Sequence, residues 1–218
     1  CPSDYMIQKM QSEDMLESFG FNKTTKKYTE GLDNVNDNLS PYIKDLFVEN
    51  DFSDFAVPYF WGTMGYTYNP KYVTKEQVST WDFQWNPGKD LEKKITIKDS
   101  VRDTYFTAVM HVYKDELNTL KTQHENGTLD DAAYNHALSE IFNRHNAETI
   151  SKAEEALKAL KGKVTLEVDE GKNEMVLGNI YANLAWSGDS VFSMDEAEEK
   201  NVTLAYEVPS EGSNVWFD

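Results

Sequence analysis

The chain has 218 residues, with 21 Lys and Arg against 38 Asp and Glu for a net charge of -17, and 13% of its side chains are aromatic. A chain this acidic lacks the basic patches that neutralise phosphates or dock on anionic lipid, so nucleic-acid and acidic-membrane binding are disfavoured and cationic partners are favoured. The 5 Trp, 12 Tyr and 11 Phe supply the large apolar area a core needs, in one large domain or two lobes.

Ser3 and Asp4 open a helix expected to run through Tyr5, Ile7 and Met10 toward Leu16, with Gly20 as its stop. Residues 22–54 are polar and rich in Asn, with a short amphipathic piece around Tyr42, Ile43, Leu46 and Phe47. An apolar crossing segment, Phe55 to Gly62, leads into a strand from Met64 to Tyr68. Trp81 to Gly88 resembles a capped turn, and Lys94-Ile95-Thr96-Ile97-Lys98 alternates as a strand does. Asp99 then opens a helix carrying Val101, Tyr105, Ala108, Val109 and Val112. Further helices follow over Leu129 to Phe142 and over Ile150 to Leu160, the latter ending at Gly162. The remaining elements are a strand from Val164 to Val168, a helical Glu174 to Asn179, a strand from Ile180 to Trp186, a break at Ser187-Gly188, a helix from Asp189 toward Lys200, and strands at Leu204 to Val208 and Val215 to Asp218. Strands alternating with such helices indicate an α/β fold with a largely parallel sheet, whose ligands sit beyond strand carboxyl ends. That rule directs attention to the residues after Ile97, after Trp186 and around Trp216.

His111, His124, His136 and His145 are scattered without metal-ligand spacing, and no Gly-rich phosphate loop or Gly-x-Ser-x-Gly elbow is present. No metal and no cofactor are expected. Cys1 is the single cysteine, so there is no internal disulfide partner, and no apolar run of 18 residues or charged-then-apolar leader occurs. Carboxylates at Asp99, Asp103, Asp189 and Asp218 among Trp61, Trp186 and Trp216 fit two chemistries. One is a glycosidase acid/base pair flanked by sugar-stacking rings; the other is an ammonium held by carboxylates and boxed by aromatic faces. Taken singly, each Trp also fits a core position and each Asp a helix cap.

Five blocks narrow the choice: Cys1-Pro2-Ser3-Asp4-Tyr5-Met6-Ile7-Gln8-Lys9-Met10, Val57-Pro58-Tyr59-Phe60-Trp61-Gly62-Thr63, Lys98-Asp99-Ser100-Val101-Arg102-Asp103, Ala185-Trp186-Ser187-Gly188-Asp189 and Pro209 to Asp218. In this order they resemble the spermidine/putrescine-binding proteins of polyamine ABC importers. The resemblance implies a type II periplasmic-binding-protein-like α/β fold, with a partial first lobe over 1–60, a complete second lobe over 61–213 and a return hinge strand over 214–218. It implies a non-enzymatic, extracytoplasmic and monomeric component that closes on spermidine or putrescine and delivers it to ABC permease subunits, membrane-associated through its parent protein. Carried over residue by residue, Ser3 and Tyr5 line the first lobe's side, and Asp103 takes an ammonium from the second lobe. Trp186 and Trp216 box the methylene chain, Asp218 meets the inner amine, and Trp61 lies near the hinge. Family members often carry an acid where this chain has Ser100, so Asp99 or Asp189 substitutes for it or one ammonium is held less tightly. The family's opening strand and helix would precede Cys1 and more of the first lobe would follow Asp218, so the chain is expected to be a truncated fragment. A carbohydrate-binding or glycoside hydrolase domain is the alternative from another class, and a purely structural fragment that binds nothing is a third.

Overall fold

A computed structural model describes residues 2–29 and 31–218. Cys1, the single cysteine, lies outside the described residues. The chain divides into two units, Cys1–Gly62 with Val215–Asp218 and Thr63–Asn214.

The first unit holds α1 (Asp4–Ser12), β1 (Phe21–Asn22), β2 (Lys27–Tyr28), α2 (Asp33–Asn38) and α3 (Pro41–Glu49). Pro41 starts α3 at a position where its missing N–H costs nothing. That helix buries Ile43 and Phe47 against Phe52 and Phe217, with the Phe47 and Phe217 rings 4.7 Å apart. α1 ends at Ser12, short of the expected Leu16. Ser3 stands at its N-cap in extended geometry but its side chain caps nothing.

The second unit begins within β3 (Trp61–Tyr68) and continues through α4 (Lys75–Val78), two short 3-10 turns and β4 (Ile95–Lys98). Four helices follow, α5 (Val101–Val112), α6 (Lys114–Glu125), α7 (Asp131–Phe142) and α8 (Ala147–Ala159). The unit closes with β5 (Thr165–Glu167), α9 (Gly171–Leu177), β6 (Ala182–Trp186), α10 (Ser187–Glu199) and β7 (Ala205–Glu207), and the chain ends with β8 (Val215–Phe217). Side-chain caps define several starts: Ser100 accepts the Asp103 N–H, Asp130 that of Ala133 and Asn146 that of Thr149. α6 escapes the sequence reading because its stretch buries only Leu117 and is otherwise largely polar. The expected break at Ser187-Gly188 is absent, since α10 starts at Ser187 directly after β6.

The sheet runs in the order β5-β4-β6-β3-β7, with β8 also pairing β3. β4 is parallel to β5 and β6, whereas β3 is antiparallel to β6 and β7. The sheet is thus mixed, not largely parallel: parallel pairing is confined to strands joined through helical crossovers. The two faces differ in chemistry. Met64, Tyr66, Ile95, Ile97 and Leu184 join Trp81, Phe106, Leu138 and Ile141 in an apolar core under α5 to α8. The alternate residues Thr67, Thr96 and Asn183 are buried and polar, and Thr67 Oγ1 donates to Ser190 Oγ of α10 at 2.7 Å. Thr96 Oγ1 donates to Asn183 Oδ1 at 2.9 Å. Gly171 at the start of α9 lies so close that a Cβ there would meet the Asn183 amide at 2.6 Å. A lean buried polar layer therefore fixes α9 and α10 over the sheet with its hydrogen bonds satisfied.

Candidate functional site

Because β5, β4 and β6 are parallel, their carboxyl ends share one edge of the sheet, occupied by Glu167, Lys98 and Trp186. Lys98 and Glu167 are register partners. The Lys98 side chain is only 2% exposed, and its Nζ lies 2.8 Å from Glu167 Oε1, 3.6 Å from Asp189 Oδ2 and 4.4 Å from the centre of the Trp186 ring. The second Glu167 oxygen accepts the Gly171 N–H at 2.9 Å. Asp189 sits in the first turn of α10, where the helix dipole favours its charge. Its Oδ1 is 3.8 Å from Lys172 Nζ, and its Oδ2 is buried without a hydrogen-bond partner among the described residues. Lys172 also bonds Asp169 at 2.7 Å; that hydrogen bond, with the nearby Asp189 charge, raises the Lys172 pKa above its ordinary value.

Asp99 and Asp103 occupy the same strand end differently. Asp99 follows Lys98, is exposed, and spends its backbone N–H on the Glu167 carbonyl at 2.7 Å. Asp103 is half-buried in the first turn of α5. Neither carboxylate has a hydrogen-bond or ion-pair partner among the described residues. Trp186 is half-buried at the N-cap of α10. This strand edge therefore carries the unpaired carboxylates of Asp99 and Asp103 and a half-buried indole, together with a third carboxylate, Asp189, that an internal ammonium already faces.

In the first unit, the start of α1 and the end of β8 adjoin: Pro2, Asp4 and Asp218 share the lining of a largely apolar cavity of about 270 Å³ with Ile7, Phe52 and Phe217. The Asp218 backbone is paired on both sides, its carbonyl accepting the Tyr59 N–H at 2.7 Å and its N–H donating to Phe60 O at 2.9 Å. Ser3 is half-buried and its carbonyl accepts from Met6 at 2.8 Å, whereas Tyr5 is exposed. Trp216 is half-buried in β8 and Trp61 is exposed at the start of β3. Sequence reasoning missed Lys98, Glu167 and Lys172. The strand reading placed Lys98 at the end of an alternating pattern, but all four residues of β4 are buried.

Other candidates resolve as structural. Trp81 and Trp85 are core residues whose indole N–H groups donate to Gly212 O and Ala156 O, both at 2.8 Å. His111 stacks on Trp85 and bonds Asp82 at 2.5 Å. Among the described residues no helix is long and apolar enough to cross a membrane.

No protein-family profile matches the chain. Individual proteins do. The chain is 25% identical over 210 residues to the putrescine-binding periplasmic protein SpuD of Pseudomonas aeruginosa, covering 91% of this chain and 49% of that protein. It is 21% identical over 221 residues to the spermidine/putrescine-binding periplasmic protein of Escherichia coli K12, covering 100% and 51%. Among solved structures it superposes on the spermidine/putrescine ABC transporter substrate-binding protein PotD of Streptococcus pneumoniae with a TM-score of 0.68 at 25% identity, covering 100% of this chain and 54% of that one. It also matches the TpPotD lipoprotein of Treponema pallidum with a TM-score of 0.68 at 16% identity, covering 99% and 56%.

The fold is thus α/β and periplasmic-binding-protein-like, and the chain spans about half the length of the proteins it matches. The resemblance read from the five blocks is borne out: the relatives are named putrescine-binding or spermidine/putrescine-binding periplasmic proteins, and the superposed structure is an ABC transporter substrate-binding protein.

Proposed function

We propose that this chain is the polyamine-binding part of an ABC-importer solute-binding protein and takes putrescine or spermidine without chemical change. The observation that carries the reading is the match along the whole chain to proteins named for these ligands. The carboxylate and indole groups at the shared end of β4 and β6 supply the matching chemistry. An ammonium stripped of water costs several kcal/mol unless a carboxylate replaces the solvent, and the methylenes between nitrogens need apolar walls. Asp99, Asp103 and Trp186 meet those needs in the second unit; Ser3, Tyr5, Trp61, Trp216 and Asp218 are assigned to the ligand in the first. Asp189, expected beside them, is faced by Lys98 instead.

In this reading the two units are the second lobe and part of the first of the family's fold, the protein acts as a monomer outside the cytoplasm, and an ABC permease receives the ligand. The test is titration calorimetry with putrescine and spermidine, with Mg²⁺ at matched ionic strength as the control. Mg²⁺ seeks octahedral oxygen ligands and gains nothing from indole faces. Binding of the amines alone is expected, and Trp216→Ala and Asp218→Asn should each weaken it by about 1–3 kcal/mol. Equal heats from Mg²⁺, or no amine heat, would defeat the reading.

A further inference from the structure

We infer that Lys98 is a specificity-determining residue: its buried ammonium takes the place of a ligand ammonium against Trp186 and Asp189, so the second unit selects diamines over more highly charged amines. This rests on the polyamine reading above. The Lys98 side chain is itself a four-carbon alkylammonium, and its surroundings are those an amine ligand would require. Glu167 Oε1 lies at 2.8 Å, Asp189 Oδ2 at 3.6 Å and the Trp186 ring centre at 4.4 Å. The group is 2% exposed, so no solvent screens it. A second ammonium brought to the same spot would meet a like charge at short range and find Asp189 already faced by Lys98 and Lys172.

The remaining carboxylates at this edge, Asp99 and Asp103, are without partners among the described residues, so they are the pair open to a ligand ammonium. A ligand lying along Trp186 can then present methylenes to the indole and one ammonium to Asp99 and Asp103. An additional ammonium near Lys98 finds no free carboxylate, because Glu167 and Asp189 already face that cation. The carboxylate of Asp189 belongs to the internal pair and does not bind ligand directly.

The full chain is titrated with putrescine and with spermidine as wild type, Asp189→Asn and Lys98→Met, and melting curves confirm that each variant is folded. Asp189→Asn is expected to keep putrescine affinity within about threefold, whereas Lys98→Met shifts the preference toward spermidine by about tenfold or more. Loss of tenfold or more in putrescine affinity on Asp189→Asn would overturn the inference, because that carboxylate would then hold the ligand. An unchanged preference in Lys98→Met would overturn it as well. If Lys98→Met does not fold, the Asp189→Asn arm decides alone. Wild type that binds neither amine removes the polyamine reading and this inference together, while binding lost only in Asp189→Asn leaves that reading intact.

Discussion

Replacing Lys98 by Met tests the buried charge cluster directly. The thioether fills most of the volume of the lysine stem, so the packing loss is small and the change is chiefly electrostatic. Glu167 keeps the Gly171 N–H at 2.9 Å but loses the cation at 2.8 Å, and Asp189 Oδ2, already without a hydrogen bond, loses the charge at 3.6 Å. Removing one member of a buried pair leaves an uncompensated charge and costs about 3–5 kcal/mol. For a chain of this length each kcal/mol moves the melting temperature by about 2–4 °C, so a fall of about 6–20 °C is expected. Melting is followed by tryptophan fluorescence in a cycle of Lys98→Met, Glu167→Gln and the double variant. The double variant should recover more than half of the loss, since Gln leaves no charge behind. Lys158→Met is the internal control: Lys158 Nζ is 2.6 Å from Glu154, but both side chains are mostly exposed, and such pairs are worth about 0.5 kcal/mol or less. A loss below about 1 kcal/mol for Lys98→Met, or no coupling to Glu167→Gln, would refute the assignment of Lys98 as a buried counter-ion.

Three further outcomes are expected. Gly65→Ala should destabilise by about 1–3 kcal/mol or more, because its Cβ would meet Glu207 O at 2.4 Å and the Tyr206 ring at 2.9 Å; a chemical-denaturation midpoint equal to wild type would show that β7 can move aside. Partial burial works against the Asp82 charge, but hydrogen bonds from Lys114 and His111 outweigh it and hold the carboxyl below its ordinary value of 3.8. A lowered folded value stabilises above the unfolded one and the gain is lost as pH falls through the folded value. The stability gap between wild type and Asp82→Asn should therefore be full near neutrality and narrow as pH falls below about 4, and a gap that does not change on acidification would contradict the pairing. Amine affinity should fall between low and physiological salt as the attraction of Asp99 and Asp103 is screened, and a flat titration series would count against their role.

Elements built on strong apolar periodicity were legible in the sequence: α5, α8 and β4 lie within a few residues of where Val101 to Val112, Ile150 to Leu160 and Lys94 to Lys98 place them. Where pattern was weak, the reading failed. α6 has only Leu117 fully buried, so its helical period carries almost no hydrophobic signal, and only Tyr113 separates its start from the end of α5. The antiparallel setting of β3 depends on pairing between residues more than 110 positions apart, such as Met64 with Trp186, which no local pattern encodes. At the site, the positions of Asp99 and Asp103 after β4 and of Trp186 at the end of β6 followed from topology rules, because a parallel strand fixes where its next helix begins.

What the sequence could not reveal is which acids are free. Asp99, Asp103 and Asp189 look alike as carboxylates near strand ends, and a net charge of -17 invites counting each as a potential partner for a cation. Their surroundings separate them. Lys98 lies in a strand whose four residues are all buried, so its ammonium cannot snorkel to water and must take its partners from the same edge. Glu167 comes to it through strand register and Asp189 through the immediate turn from β6 into α10. The internal pairing thus follows from three strands ending together, and it subtracts Asp189 from the charge offered to a ligand. On the proposed reading, ligand charge preference is set less by how many acids the chain carries than by the buried Lys98 among them.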